Sequence, residues 1–253
     1  MAGNARKGGE SVSSRLLAIL GAFDDEHRRI SLSDLSRRAD MPMSTAHRLC
    51  AELTGWGALR RDTEGRYVLG RRLWELGLLA PIQVEIRQIA SPFLYDIFAA
   101  TQATVHLAIR EDLKALYLER LSGNKSVPVV GSVGSKLPLH ATAVGKVLLA
   151  HAPEAVIAHA LQSLSRETPY TVIAPGTLVS QLGLVRERGY ARTVEEMSLG
   201  ACSVAVPIAD GSGRVRAALG IVVPNLRRNV PRLVAALKVA SAGITRQWAA
   251  WER

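Results

Sequence analysis

The chain has 253 residues, a formal net charge of +10 and 48% hydrophobic residues, with 21 glycines and 11 prolines. These values suit a globular protein of one large or two modest domains, and no apolar run is long enough to span a membrane. Only two cysteines occur, Cys50 and Cys202, far apart in sequence and the first on an apolar helix face, so neither a disulfide framework nor a Cys-rich zinc site is indicated and a reducing cytoplasm is the expected location.

Residues 1–10 read as a flexible basic tail, and MAGNARKGGESVSS lacks the apolar centre of a signal peptide. SVSSRLLAILGAF follows, with Val12, Leu16, Leu17, Ile19, Leu20 and Phe23 on a broad helical stripe. From Ser31 to Leu53 the chain reads as two short helices joined by a tight turn. Ser31 precedes Leu32, and Asp34 lies three residues on, a variant of the capping box with its carboxylate in the positive first turn. Leu32, Leu35 and Ala39 share one face. Asp40-Met41-Pro42 then forces a bend, because Asp tolerates the left-handed conformation and Pro suits the start of a helix but not its middle.

In the next helix Ala46, Leu49, Cys50, Leu53 and Trp56 recur at helical spacing and predict a buried face, while Ser44, Thr45, His47 and Arg48 occupy the other. Short hydroxyls and a guanidinium at the first turns suit a recognition helix that enters a major groove by its N-terminal end. Gly55 is the expected C-cap. ALRRDTEGRYVLG then gives two strands around a turn at Asp62-Thr63-Glu64-Gly65, a wing flanked by Arg60, Arg61 and Arg66. The expected DNA-facing set is Ser33 and Arg37 in the first helix, Ser44, Thr45, His47 and Arg48 in the second, and Arg61 and Arg66 in the wing. Charge adds little to this reading. Through Ala80 the count is 13 basic against 10 acidic residues, and after it 19 against 12, so the basic excess is not concentrated on the DNA-binding segment.

The winged helix-turn-helix therefore spans 11–70, followed by a linker helix at 71–81, RRLWELGLLAPI, that Pro81 terminates. A second domain occupies 82–253. It opens on a long helix with Ile86, Ile89, Ala90, Leu94, Ile97 and Phe98 on its apolar side. ATVHLAIR and ALYLERL form one hairpin, ACSVAVPIA and VRAALGIVVP another around Asp210-Gly211-Ser212-Gly213, and a helix from Val230 to Trp251 closes the chain. Strands and helices in this order give an α+β domain built on a sheet of hairpins, so the whole chain is mixed α/β. Gly131, Gly134 and Ser135 fall in a flexible loop, and Thr142-Ala143-Val144-Gly145 opens an apolar helix whose free amides favour a carboxylate.

Catalytic and metal motifs fail. AVGK lacks the first glycine of a phosphate loop, where His140 stands, and Val147 replaces the magnesium-binding hydroxyl. Ser122 and Lys125 match serine-lysine spacing without the companion motifs. DGSGRVR has Arg216 where a dinucleotide fingerprint needs glycine. His151 and His159 have no metal-binding partner spacing, His106 alternates with apolar residues as a core histidine does, and Glu195 and Glu196 project differently. No enzyme activity, metal or cofactor is expected.

Four segments in order resemble the IclR family of bacterial transcription regulators: STAHRL in the helix-turn-helix, RYVLG at the end of the wing, LPLHATAVGKVLLA at 137–150, and GYARTVEEMSLGACSVAVPI at 189–208. The resemblance covers nearly the whole chain. It implies an N-terminal winged helix-turn-helix joined by a linker helix to a C-terminal effector domain similar to GAF sensors. It also implies a homodimer, often paired into a tetramer, that binds double-stranded, pseudo-palindromic operators near catabolic genes, here as a repressor, and answers to a small organic acid or aromatic metabolite. Family effector contacts fall on Ala143 and Val144, with Gly145 beside them, on Thr193, on Ser203, and on Gly220 and Val222. Members that take small keto acids often carry an acidic residue at the place of Thr193 and hydroxyls at the places of Gly220 and Val222, so the less polar set here favours a larger, aromatic effector. A ligand-independent architectural DNA-binding protein is the alternative, and a small-molecule-processing enzyme a more distant one.

Overall fold

The computed structural model describes residues 11–24, 26–79, 84–123, 126–127, 130–226 and 229–251. The expected tail at 1–10 and the Pro81 end of the linker lie outside them. The chain divides into two compact units between Ile82 and Gln83, and among the described residues no helix is long and apolar enough to cross a membrane.

The N-terminal unit contains α1 (Val12–Gly21), α2 (Leu32–Arg38), α3 (Met43–Trp56), β1 (Leu59–Arg61), β2 (Tyr67–Leu69) and α4 (Arg71–Leu78). Ser31 caps α2 by accepting the Asp34 amide, and its hydroxyl donates to the Asp34 carboxylate at 2.8 Å. Asp40 takes the left-handed conformation with φ of 47°, so the bend between α2 and α3 has the chemistry its sequence requires. Ile19, Leu35, Ala46, Leu49 and Cys50 are fully buried and form one core with Leu59 and Tyr67 of the hairpin. Burial pushes the Cys50 thiol up to about 11, which leaves it a packed, unreactive group.

Four local expectations are corrected. Gly57, with φ of 87°, caps α3, and Gly55 lies inside the helix; the helix runs two residues further because the Gly57 amide reaches the Thr54 carbonyl. Trp56 is exposed and lies under the Arg72 guanidinium at 4.6 Å. Val12 and Leu17 are exposed too, so the buried stripe of α1 is narrower than its apolar pattern. The linker helix α4 stops at Leu78 with Leu79 as its cap.

The C-terminal unit contains α5 (Val84–Thr101), β3 (Thr104–Glu111), β4 (Lys114–Leu121), β5 (Lys136–Pro138), α6 (Ala143–Ala150), α7 (Glu154–Leu161), α8 (Pro175–Arg188), β6 (Ala191–Val194), β7 (Cys202–Ala209), β8 (Val215–Val223) and α9 (Val230–Trp251). Its six strands form one antiparallel sheet in the order β5-β4-β3-β8-β7-β6. Both expected hairpins are present and lie side by side through β3 and β8. The short edge strands β5 and β6 escape the sequence pattern because three or four residues cannot display an alternation.

Strand alternation makes the sheet two-faced. Val105, Leu107 and Ile109 on β3, Val204, Val206 and Ile208 on β7, and Leu219 and Ile221 on β8 form a core with α5 and α9. On the opposite face stand Ala108, Ala205 and Ala218, packed with α6 and α8, with Gly220 in the same strand phase. This alternation of large and small residues lets α6 approach the sheet closely, and all eight α6 residues are buried.

Candidate functional sites

On the N-terminal unit, α3 begins after Pro42 with no side-chain cap, so its first amides have no partner within the helix and are available to an anion. Ser44, His47 and Arg48 are exposed on this helix and Thr45 is half-buried; Ser33 and Arg37 are exposed on α2. Arg48 pairs with Glu52 and Arg37 with Asp34, each at 2.6 Å. Such exposed pairs are weak, and a phosphate can displace the carboxylate. The wing arginines are held differently. Arg61 donates to the Tyr67 hydroxyl at 2.6 Å and lies over its ring at 4.8 Å, while Arg66 bridges Glu64 and Asp62. These contacts fix both guanidiniums on the hairpin.

On the C-terminal unit, a cavity lies between the start of α6 and the small-residue face of the sheet. Strand register builds its floor in two rows. Thr193, Ser203, Val222 and Thr104 pair successively across β6, β7, β8 and β3; one step along, Ala205, Gly220, His106 and Arg120 pair across β7, β8, β3 and β4, and of these Thr193, Ser203, Val222, Gly220 and His106 line the cavity. Ala143 and Val144 of α6, with Met197, Ser198 and Ala201 from the β6–β7 connection, contribute part of the wall, and Tyr117, Val130 and Leu137 line the β4–β5 side. Six of the seven expected effector residues line it: Ala143, Val144, Thr193, Ser203, Gly220 and Val222.

Gly145 does not. A side chain there would overlap the Leu139 carbonyl and the Thr142 hydroxyl, so this glycine allows close packing. Thr142 caps α6, its hydroxyl accepting the Gly145 amide at 3.1 Å and donating to the Pro138 carbonyl at 3.2 Å. The Ala143 and Val144 amides, lacking intrahelical acceptors, open the helix at the cavity.

The sequence pattern missed His106 and Tyr117. A β-bulge between Leu107 and Ala108 sets Arg120 opposite His106 and Tyr117 opposite Ala108, so two β4 residues of opposite phase serve the same face. His106, reading as a core histidine by alternation, is indeed buried, yet it borders the cavity and packs edge-to-face on Tyr117 with ring centres 5.2 Å apart. Burial, reinforced by the Arg120 charge, lowers its pKa to about 3, so the ring is neutral near pH 7. Burial likewise raises the Tyr117 phenol above its ordinary value. Thr193 and Ser203 share a hydrogen bond of 2.5 Å.

Behind this wall lies a second feature that sequence spacing did not reveal. Lys146 of α6 is 1% exposed and donates to both Glu196 carboxylate oxygens at 2.6 and 2.7 Å, and to Gln181 of α8 at 2.7 Å. Burial pushes Lys146 down from its ordinary value and the Glu196 carboxylate opposes that. Glu196 directly precedes the cavity residues Met197 and Ser198, so the pair joins two walls of one site.

The two halves match known domains separately. Residues 13–63 match the IclR helix-turn-helix domain, and residues 81–246 match the bacterial transcriptional regulator IclR C-terminal domain. The chain is 34% identical over 210 residues to the HTH-type transcriptional regulator XynR of Escherichia coli K12, covering 82% of this chain and 83% of that one. It is 32% identical over 233 residues to the HTH-type transcriptional repressor AllR of the same strain, covering 91% and 86%. Its structure is similar to that of an IclR homolog from Microbacterium hydrocarbonoxydans complexed with 4-hydroxybenzoate, with a TM-score of 0.89, 35% identity, and coverage of 95% of this chain and 100% of that one. With a helix-turn-helix, an effector-type α/β domain and relatives aligned along most of its length, the chain belongs to the IclR family of transcriptional regulators, DNA-binding proteins controlled by small-molecule effectors.

Proposed function

We propose that the protein is a cytoplasmic repressor of catabolic genes that binds a pseudo-palindromic operator as a homodimer, able to pair into a tetramer, and changes its hold on DNA when an aromatic carboxylate enters the cavity under α6. Residues 11–70 bind DNA, 71–81 link, and 82–253 receive the effector. The reading places Ser33, Arg37, Ser44, Thr45, His47, Arg48, Arg61 and Arg66 at the DNA, and Ala143, Val144, Thr193, Ser203, Gly220 and Val222 around the effector.

One observation carries it: a cavity that combines the open amides of a helix start and a hydroxyl pair with an apolar wall of Leu137, Val144 and Val222. Amides favour a carboxylate and the wall favours a ring. The similar structure from Microbacterium hydrocarbonoxydans, complexed with 4-hydroxybenzoate, supports the same ligand class. The cavity volume is about 40 Å³, whereas cavities that admit benzene are about 150 Å³. A ring must therefore displace its lining on entry, and that makes occupancy depend on conformation, the requirement for any switch. Exposed apolar residues on α1 and α4, including Leu17, Trp74, Leu78 and Leu79, supply a face for dimerisation of the N-terminal unit.

Gel-shift titration with the protein's own upstream DNA, with and without benzoate, 4-hydroxybenzoate, glyoxylate and pyruvate, tests the proposal. The benzoates are expected to shift the binding curve. Tight calorimetric binding of glyoxylate or pyruvate without binding of benzoates would overturn the effector class, and DNA binding of low sequence specificity that no metabolite alters would favour an architectural protein. Arg48→Ala is expected to weaken operator binding by about 1–3 kcal/mol if the guanidinium contacts a base; an unchanged shift would remove Arg48 from the interface.

A further inference from the structure

The basic excess after Ala80, 19 basic against 12 acidic residues, gathers at one place on the C-terminal unit. A second cleft, of about 1060 Å³, opens at the far end of α6 from the effector cavity, a helix length of about 12 Å away, and no residue lines both. Arg110 of β3, Arg186 of α8, Arg214 of the β7–β8 turn and Arg216 of β8 line it, and Glu154 is the single carboxylate among its lining residues.

Two of these guanidiniums are held without being neutralised. Arg186 donates to the Ala150 carbonyl at 2.9 Å and Arg110 to the Asp112 carbonyl at 3.0 Å. Among the described residues neither of them, nor Arg214, pairs with a carboxylate. A neutral oxygen fixes a guanidinium and leaves its charge and most of its five N–H donors to a ligand. Arg37 and Arg48 on the DNA-binding helices differ, each meeting a carboxylate at 2.6 Å. Arg216 has only Asp210, at 3.8 Å, whose other carboxylate oxygen already accepts from Ser212 and from the Arg214 amide. Strand register brings the charges together. The β3–β8 ladder ends with Ile109 opposite Ala217, so Arg110 and Arg216 come next on neighbouring strands. The register shift that pairs Ala209 with Val215 leaves Arg216 without a β7 partner, and such a bulge re-aims a side chain. Like charges on adjacent strands repel; an anion between them removes that cost.

We infer that this cleft binds an organic phosphate of nucleotide size, with its phosphates on the arginines and its less polar part over Leu148 and Ile157. The planar fork of a guanidinium matches phosphate oxygens, and four forks on one rim call for more than one negative charge. The volume is that of small-molecule sites, which reach about 1,000 Å³. A concave site with Leu148 and Ile157 in its lining fits a compact ligand better than the side of a duplex.

Calorimetry on the full chain with ATP, pyrophosphate and adenosine tests this. Wild type is expected to bind ATP most tightly, pyrophosphate next and adenosine least. Arg110→Gln combined with Arg216→Gln is expected to weaken ATP binding at least about tenfold, as the loss of two charge-assisted hydrogen bonds warrants, while the operator gel shift stays at its wild-type position and reports an intact fold. Failure of both ATP and pyrophosphate to bind wild type, adenosine binding as tight as that of ATP, or ATP affinity unchanged in the double variant would overturn the assignment. Displacement of ATP by polyglutamate at equal charge concentration would make the cleft a groove for an acidic protein segment and overturn it too. Should the double variant lose operator binding, Arg214→Gln on the exposed turn decides in its place, by the same loss of ATP affinity or by its absence.

Discussion

A methyl group at Gly220 would come within 2.7 Å of Val144 Cγ1 on the helix above and 3.4 Å of His106 Cδ2 beside it. The absent side chain is thus what allows Val144 and His106 to share the cavity. Gly220→Ala is expected to lower effector affinity at least about tenfold, since overpacking costs about 1–3 kcal/mol or closes the site, while operator binding without effector persists in the gel shift. His106 also sets a pH dependence. Its folded pKa of about 3 lies below the ordinary 6.5, so the unfolded chain binds the extra proton between those values and stability rises with pH. The contribution is complete above 6.5 and lost as pH falls toward 3. At pH 5 it has diminished by about 2 kcal/mol. Urea melts at pH 7.5 and pH 5 are expected to differ by about that much less in His106→Phe than in wild type.

At the scale of elements, α6 is placed by three devices: the Thr142 cap, the close approach at Gly145, and the buried Lys146–Glu196 pair. The pair ties α6 to the β6–β7 connection, and Gln181 brings in α8. Lys146→Met alone strands the Glu196 carboxylate and is expected to cost about 3–5 kcal/mol, whereas Lys146→Met with Glu196→Leu is expected to be nearly neutral in stability. Thermal melts of the single and double variants check this. A double variant as unstable as the single one would show that burial of the carboxylate is not the cause. The helix-turn-helix was legible at this scale because capping, a left-handed Asp and an apolar stripe are all local signals. The C-cap of α3 was not, since Gly55 and Gly57 both satisfy the sequence rule and only hydrogen bonding at Thr54 selects between them.

For the whole molecule, the modest excess of basic residues through Ala80 favours operator affinity from placed side chains, on both subunits of the homodimer proposed above, over bulk attraction. Trp74, 62% exposed on α4, belongs to the apolar face proposed for dimerisation. Trp74→Glu is expected to shift sedimentation toward monomer and to weaken operator binding at least tenfold while leaving effector affinity intact. Retention of the dimer in sedimentation would remove α4 from that interface.

The amino-acid sequence alone determined the order and type of most elements, because helical and strand periodicities, turn residues and caps act within a few residues of one another. It also pointed, through the family resemblance, to six residues that line one cavity. Tertiary structure decided the rest. The bulge in β3–β4 turned Tyr117 and Arg120 to one face, strand register set His106 between Gly220 and Arg120, and folding buried Lys146 against Glu196, fifty residues away. None of these has a local signature, for register and burial arise only when distant segments pair, and there a histidine that alternates like a core residue comes to border a cavity.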